Sequence, residues 1–359
     1  MILVRVNGVE YDQYLSATVN ISFETLANDF SFTATSNSGF PPFKKGDEVE
    51  MIVDGEKRCT GYIERVEGNY SASSHAITYS GRDKTADFID SSIDVLGDLK
   101  DLTLKQLLEK MISNIGSSLK VIDTVNPKVF NVAEDIIKCE PGDSCFDKAN
   151  EFAKKRQVFL SSDSDANIVI ANSEPVDTGS LLQHKINSEG NNVLNASWSL
   201  NDESRFNRYS LRSQLDPVGL ALVPSPDIAT ASNQSGGIIS DEEVRQGRQF
   251  VAVKDKYSSE ELKKLAEWTK KIRKARGNTY TATVQGYRNF QANLWDVNQI
   301  ATIEDDFADI SRKMMIASLQ FNYSEAGSIT SLDFVEKDAY ILAQQEPRPV
   351  GDQFNAFTG

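Results

Sequence analysis

Apolar and polar residues alternate at both ends of the chain, and helical spacing takes over in the middle. Glu48-Val49-Glu50-Met51 alternates with period 2 and runs into Asp54-Gly55, a hairpin signal. Cys59 to Val66 returns as a strand, and Ile77-Thr78-Tyr79-Ser80 alternates again. Met1 to Gly8 reads as a strand entering a turn. Short strands with turn punctuation predict a small β-barrel or sandwich over residues 1–92.

Residues 93–205 change character and predict an α+β insert. Leu104, Leu107, Leu108, Met111, Ile112 and Ile115 share one helical face. Thr103 and Gln106 fit a capping box, Leu102 and Leu107 a hydrophobic staple, and Gly116 a C-terminal stop. A second helix is expected from Ser144 to Lys155, with Asp147 as its capping partner. Val158-Phe159-Leu160 and Ile168-Val169-Ile170 then predict a hairpin.

Residues 206–343 predict a second β-barrel. Residues 215–247, rich in Pro, Ser, Gly and Ala, lack periodicity and predict a long loop within it. A helix over Ser259–Ala275 carries Leu262, Leu265, Ala266 and Ile272 on one face. Its other side bears Lys263, Lys264, Lys270, Lys271 and Lys274: a solvated face, or a docking surface for an acidic neighbour. Strands follow at Tyr280–Val284, Ile300–Ile303 and Ala317–Tyr323, and residues 344–359 read as an extended arm. The fold class is therefore α+β, mainly β: two similar antiparallel barrels with an α+β insert between them.

Residues 66–86 recur faintly at 319–339. Asn69-Tyr70-Ser71 matches Asn322-Tyr323-Ser324, Val66 meets Leu319, Tyr79 meets Leu332, Lys84 meets Lys337 and Ala86 meets Ala339. One β-domain used twice, with other material inserted, explains this spacing. Val66, Tyr70, Tyr79, Leu319, Phe321 and Leu332 are then expected in the barrel cores.

Composition removes whole classes of function. A net charge of −14 disfavours tight nucleic-acid binding, which needs clustered cations. No run of 18 apolar residues is present, so no spanning helix is expected, and the N-terminus lacks a signal-length apolar stretch. Synthesis in a cytoplasm is expected. Cys59, Cys139 and Cys145 are irregularly spaced and predict reduced thiols, not a disulfide framework.

Each candidate for chemistry has a plainer reading. Asp163, Asp165, Asn167 and Glu174 have the spacing of a calcium loop, but Ile168 stands where the sharp turn wants Gly, which favours a hairpin turn. Asp305, Asp306 and Asp309 lie between predicted strands and read as a solvated loop. Cys145 opens a helix, yet His75 and His184 are both remote in sequence. Tyr287, Phe290 and Trp295 read as barrel packing or as a carbohydrate-stacking patch. No phosphate loop or nucleophile elbow occurs. Neither an enzyme nor a cofactor or metal site is expected.

The run Gly81-Arg82-Asp83-Lys84-Thr85-Ala86-Asp87-Phe88-Ile89-Asp90 resembles a signature of baseplate hub proteins from contractile-tailed phages, the Mu-like tail proteins and the wider late control gene D family. The helices at Leu104–Ile115 and Ser144–Lys155, the hairpin after them, Gly286-Tyr287-Arg288 with Leu294-Trp295, and the strand end at Asp338-Ala339 follow in the family's order. The resemblance implies a homotrimer of two-barrel chains in a virion tail baseplate. Such a pseudo-sixfold ring meets the tail tube and a separate spike protein, and DNA passes through it. Arg82, Asp83, Tyr70, Tyr323 and Trp295 are the expected structural or interface residues, Arg82 and Asp83 as an ion pair or inter-barrel contact. Two alternatives stand beside it: a carbohydrate-binding or carbohydrate-cleaving tail module, and the base of a type VI secretion spike.

Overall fold

A computed structural model describes residues 1–35, 42–71, 75–100, 102–125, 137–156, 158–172, 174–186, 189–214, 233–255 and 259–340. The N-terminal alternation folds as β1 (Ile2–Val6), β2 (Val9–Tyr11), β3 (Tyr14–Ser22), β4 (Asp29–Thr35), β5 (Glu48–Val53), β6 (Glu56–Tyr70) and β7 (His75–Asp83). The Asn7-Gly8 and Asp54-Gly55 turns both take positive φ, which matches the twist of the strands they join.

The insert holds α1 (Ala86–Asp90), β8 (Gly97–Leu99), α2 (Leu104–Asn114), β9 (Val121–Asp123), β10 (Ile137–Cys139), α3 (Cys145–Lys155), β11 (Phe159–Ser162) and β12 (Ile168–Ala171). The Thr103 hydroxyl accepts from the Gln106 amide, and the Gln106 side chain accepts from the Thr103 amide, closing the capping box. Ser144 caps α3 by accepting from the Asp147 amide. The apolar faces of α2 and α3 close on β9, β11 and β12 in a core of their own.

The chain continues through β13 (Val176–His184), β14 (Val193–Leu200), β15 (Arg208–Gln214), β16 (Asn233–Ser240), β17 (Gln249–Asp255) and α4 (Ser259–Gly277). It ends in β18 (Asn278–Gln285), β19 (Gln299–Asp305), β20 (Ile310–Ser324) and β21 (Gly327–Glu336). The expected boundary at 205 does not separate the sheets. β13 and β14 pair with β19 and β18 in the large sheet, whereas β15, β16 and β17 form a small sheet under α4. The long loop expected over 215–247 is also partly strand: Asn233–Ser240 pairs with β15. Gly237 permits this, since a Cβ there would lie 2.4 Å from the Leu262 carbonyl oxygen on α4. Residues 215–232 and the arm at 344–359 lie outside the described residues.

Four strands are used twice. The thirteen-stranded sheet runs β14-β18-β21-β20 and continues directly as β3-β4-β7-β6. The two quartets agree in register. Val66 faces Tyr79 as Leu319 faces Leu332, and Asn69 faces Ala76 as Asn322 faces Ile329. Bulges fall at Glu64 and Ala317, the same place in each hairpin. Phe32 meets Tyr79 as Ala282 meets Leu332. Ala17 meets Phe32 as Ala196 meets Ala282, and both of these pairings carry a bulge, at Leu15 and Leu194. One core fills both quartets, with Val19, Phe30, Phe32, Tyr79, Tyr280, Phe321, Leu332 and Phe334 all buried.

Candidate assembly surfaces

The Gly-Arg-Asp run lies where β6 and β7 cross closely. A Cβ on Gly81 would stand 1.9 Å from the Tyr62 carbonyl oxygen, and one on Gly61 2.0 Å from that of Arg82. Only glycine lets the two backbones approach so near. The neighbours Arg82 and Asp83 then point to opposite faces and do not pair with each other. Arg82 grips both oxygens of Glu64 at 2.8 and 2.9 Å and reaches Asp90, all at the surface. Asp83 is buried. It accepts from the amides of Asn28 and Thr85 at 2.9 Å and from the hydroxyls of Thr85 and Ser162. Burial pushes its carboxyl up, and these four hydrogen bonds oppose the shift without cancelling it. Ser162 belongs to β11, so Asp83 ties the first quartet to the insert. Thr60 adds a second tie, donating to the Ser164 carbonyl at 2.8 Å.

The five aromatic positions divide. Tyr323 sits edge-on to Tyr14, ring centroids 5.7 Å apart. Trp295 and Tyr287 are buried in the common core, which leaves Phe290 alone exposed in that stretch and no aromatic platform among the three. Tyr70 departs from the expected core position: it is 84% exposed and, among the described residues, stacks on His75. Among the described residues, the strand that covers its counterpart Tyr323 has no equivalent beside Tyr70.

The candidate chemistry resolves into structural roles. Asp163 caps its own turn, accepting from the amides of Asp165 and Asn167 at 2.9 Å. Asp305 is not solvated, as its loop position suggested, but buried. It accepts from Tyr280 at 2.8 Å and from the amides of Phe307 and Ala308, and His184 Nδ1 lies 3.3 Å away. Desolvation raises its carboxyl, but the hydrogen bonds prevail and hold it below the usual range. Asp306 pairs with Lys185 at the surface. Burial pushes the Cys145 thiol up, away from the reactive form. Three of the α4 lysines have acidic partners within the chain: Lys264 lies by Glu260, Lys270 by Asp241, and Lys274 by Glu243 and Glu336. Arg205, also buried, joins Asp202, Asp241 and Glu243 into the same cluster.

The junction between quartets is an antiparallel strand pair. Ser318–Tyr323 of β20 lies against Ser22–Ala17 of β3, with Leu319 opposite Ile21, Phe321 opposite Val19 and Tyr323 opposite Ala17. The Thr18 hydroxyl donates to Asn322 Oδ1 at 2.9 Å, and Gln320 donates to Asn20 at 2.7 Å. Arg58 with Asp296, and Arg288 with Asp54 and Glu56, add ion pairs across the same junction. The Asn-Tyr-Ser repeat noticed in the sequence thus includes the residues that join one quartet to the next. The missed half was the β3–β4 match to β14–β18. It shares register but almost no residue identity, so no letter-by-letter signal existed to find it.

Comparison with known proteins agrees with this layout. Residues 1–83 match the family model of the N-terminal domain of Mu phage baseplate assembly protein GpP-like proteins, and residues 258–343 match that of the GpP fourth domain. The baseplate hub protein gp44 of Escherichia phage Mu is 22% identical over 357 residues, covering 97% of this chain and 90% of that one. The 43 kDa tail protein of prophage MuSo2 from Shewanella oneidensis superposes with a TM-score of 0.78 at 26% identity, over 94% of this chain and 98% of that one. Both ends of the chain thus match Mu-type baseplate models, and nearly its whole length resembles Mu-type tail proteins. A tail protein from Neisseria meningitidis MC58 shares the fold, with a TM-score of 0.77 at 20% identity over 94% of this chain and 97% of that one. The family models fall on the first quartet and on the stretch from α4 to the end of the second, and the insert lies between them. Among the described residues no helix is long and apolar enough to cross a membrane.

Proposed function

We propose that this protein is the structural hub of a contractile tail baseplate, acting as a homotrimer. Three chains supply six similar β quartets in a ring that joins the tail tube to a separate central spike. It is made in the host cytoplasm and works in the virion. The single observation behind this reading is the quartet repeat: two units of equal register stand side by side in one sheet. A spike of three-fold symmetry and a tube of six-fold symmetry cannot be matched by one kind of contact. A trimer of doubled chains offers three-fold contacts to one and near-six-fold contacts to the other.

The remaining features fit a scaffold and not a catalyst. The polar clusters at Asp83, Asp305 and Arg205 are spent on hydrogen bonds that fix strands and turns. A net charge of −14 suits a ring through which DNA passes without being held. Electron microscopy of the purified protein tests this directly. The expected particle is a three-fold ring with six similar lobes. A persistent monomer at high concentration, or a two-fold dimer, would overturn it.

A further inference from the structure

Two edges of the large sheet match each other, and among the described residues each lacks a second partner strand. At one end, β6 beyond Glu64 is paired only with β7 among the described residues. At the other, β14 is paired only with β18. Their counterparts inside the chain, β20 and β3, are the strands that pair at the junction. β14 alternates cleanly, with Ala196, Trp198 and Leu200 on one face and Asn195, Ser197 and Ser199 on the other. The counterparts of that apolar face, Ala17, Val19 and Ile21, are buried, whereas Trp198 is 45% and Leu200 68% exposed. An exposed apolar edge of this kind calls for a partner strand.

We infer that β6 of one copy pairs antiparallel with β14 of the next, in the register that β20 uses on β3. This deepens the ring reading and rests on it. Transferring the register places Val66 opposite Leu200, Glu67 opposite Ser199, Gly68 opposite Trp198, Asn69 opposite Ser197 and Tyr70 opposite Ala196. The transferred pairs are chemically complementary. Tyr70–Ala196 repeats Tyr323–Ala17 residue for residue. Ser197 brings a hydroxyl to Asn69 where Thr18 brings one to Asn322. Ser199 faces the Glu67 carboxylate where Asn20 faces Gln320. The core-facing pair changes from Phe321–Val19 to Gly68–Trp198: the large residue has moved to the other strand, and a glycine receives it. The contact is heterologous, head to tail, so repeating it builds a ring and not a closed two-fold dimer.

The test transplants the internal pair to the seam. A Cβ at Gly68 would meet nothing within 4 Å and the position is exposed, so Gly68→Phe is expected to keep the fold, which an unchanged urea unfolding curve checks. Sedimentation velocity on the full chain is expected to show self-association weakened at least about tenfold by Gly68→Phe and by Trp198→Val. The double variant should return to within about threefold of the parent. In a second measurement, Asn69→Cys and Ser197→Cys in one chain should give a covalent trimer with a short bis-thiol cross-linker, while Asn69→Cys with Ser199→Cys should not. Single variants that assemble like the parent, a double variant that is not restored, or cross-linking in the shifted pair alone would each overturn this seam. If such variants still sediment as trimers, the ring stands and only its seam is misplaced. A parent protein that is monomeric at every concentration brings down both.

Discussion

The β6–β7 and β20–β21 hairpins share register, bulge position and an Asn-Tyr-Ser strand end, yet one is covered and the other bare. Phe321 is fully buried and its counterpart Gly68 is exposed; Tyr323 packs on Tyr14, and Tyr70 stands in solvent. Local sequence therefore sets the hairpin, but a neighbouring strand sets the burial. Chain connectivity supplies that neighbour once, as β3 beside β20. Beside β6 beyond Glu64 it supplies none among the described residues.

Substitutions at matched positions should expose this asymmetry. The largest contrast is at the core-facing pair. Phe321→Ala should cost about 3–5 kcal/mol in urea unfolding of the free chain, whereas Gly68→Ala should stay within about 0.5 kcal/mol. Equal effects would mean that the two edges are not differently covered.

The strand ends come next. Asp83 and Glu336 hold the same register position, but Asp83 is a buried acceptor and Glu336 a partly exposed partner of Lys274 and Arg312. Removing Asp83 orphans several buried donors. Asp83→Ala should cost at least about 1–3 kcal/mol, against no more than about 1 kcal/mol for Glu336→Ala. Chevron or equilibrium unfolding of both variants measures the difference.

Smaller still is the asparagine pair. Asn322→Ala loses the hydrogen bond from Thr18 and should cost about 1 kcal/mol, while Asn69→Ala should be silent in the free chain and felt only on assembly. A measurable loss of monomer stability for Asn69→Ala would show that its edge is already occupied.

Acid should act oppositely on two buried carboxylates. Asp305 titrates below its unfolded value, so its stabilisation is full above that value and is lost as the pH falls through the folded one. Asp83 titrates above its unfolded value, so its ionised form carries a cost above the folded value, which disappears as the pH falls below the unfolded one. Asp305→Asn should therefore flatten the fall of Tm on the acid side of the ordinary aspartate range. An unchanged acid limb in that variant would place the sensitivity elsewhere.

Helix ends were the most legible part of the chain, because a cap is a local bargain between one side chain and the next turn. Thr103 with Gln106, Ser144 and Gly116 all act where their spacing indicates. Asp305 was misread because its burial depends on Tyr280 and His184, brought in by other strands. Strand β16 was missed because its pairing with β15 and its contact with α4 are long-range, and Gly236-Gly237 looks like a loop without them. Tyr70 carries the alternation of a core residue, but its exposure depends on a neighbouring strand of the kind that half-buries its twin Tyr323.

By itself the sequence determined the local elements, the glycines that β6 and β7 need to cross, and the faint doubling of one hairpin. These follow from backbone sterics, capping and period-2 burial, all readable within a few residues. Only the tertiary structure decided that four strands repeat, that the copies lie side by side in one sheet, and that two matching edges remain open. Register between distant strands is set by packing across the sheet. A pairing can be kept while nearly every letter changes.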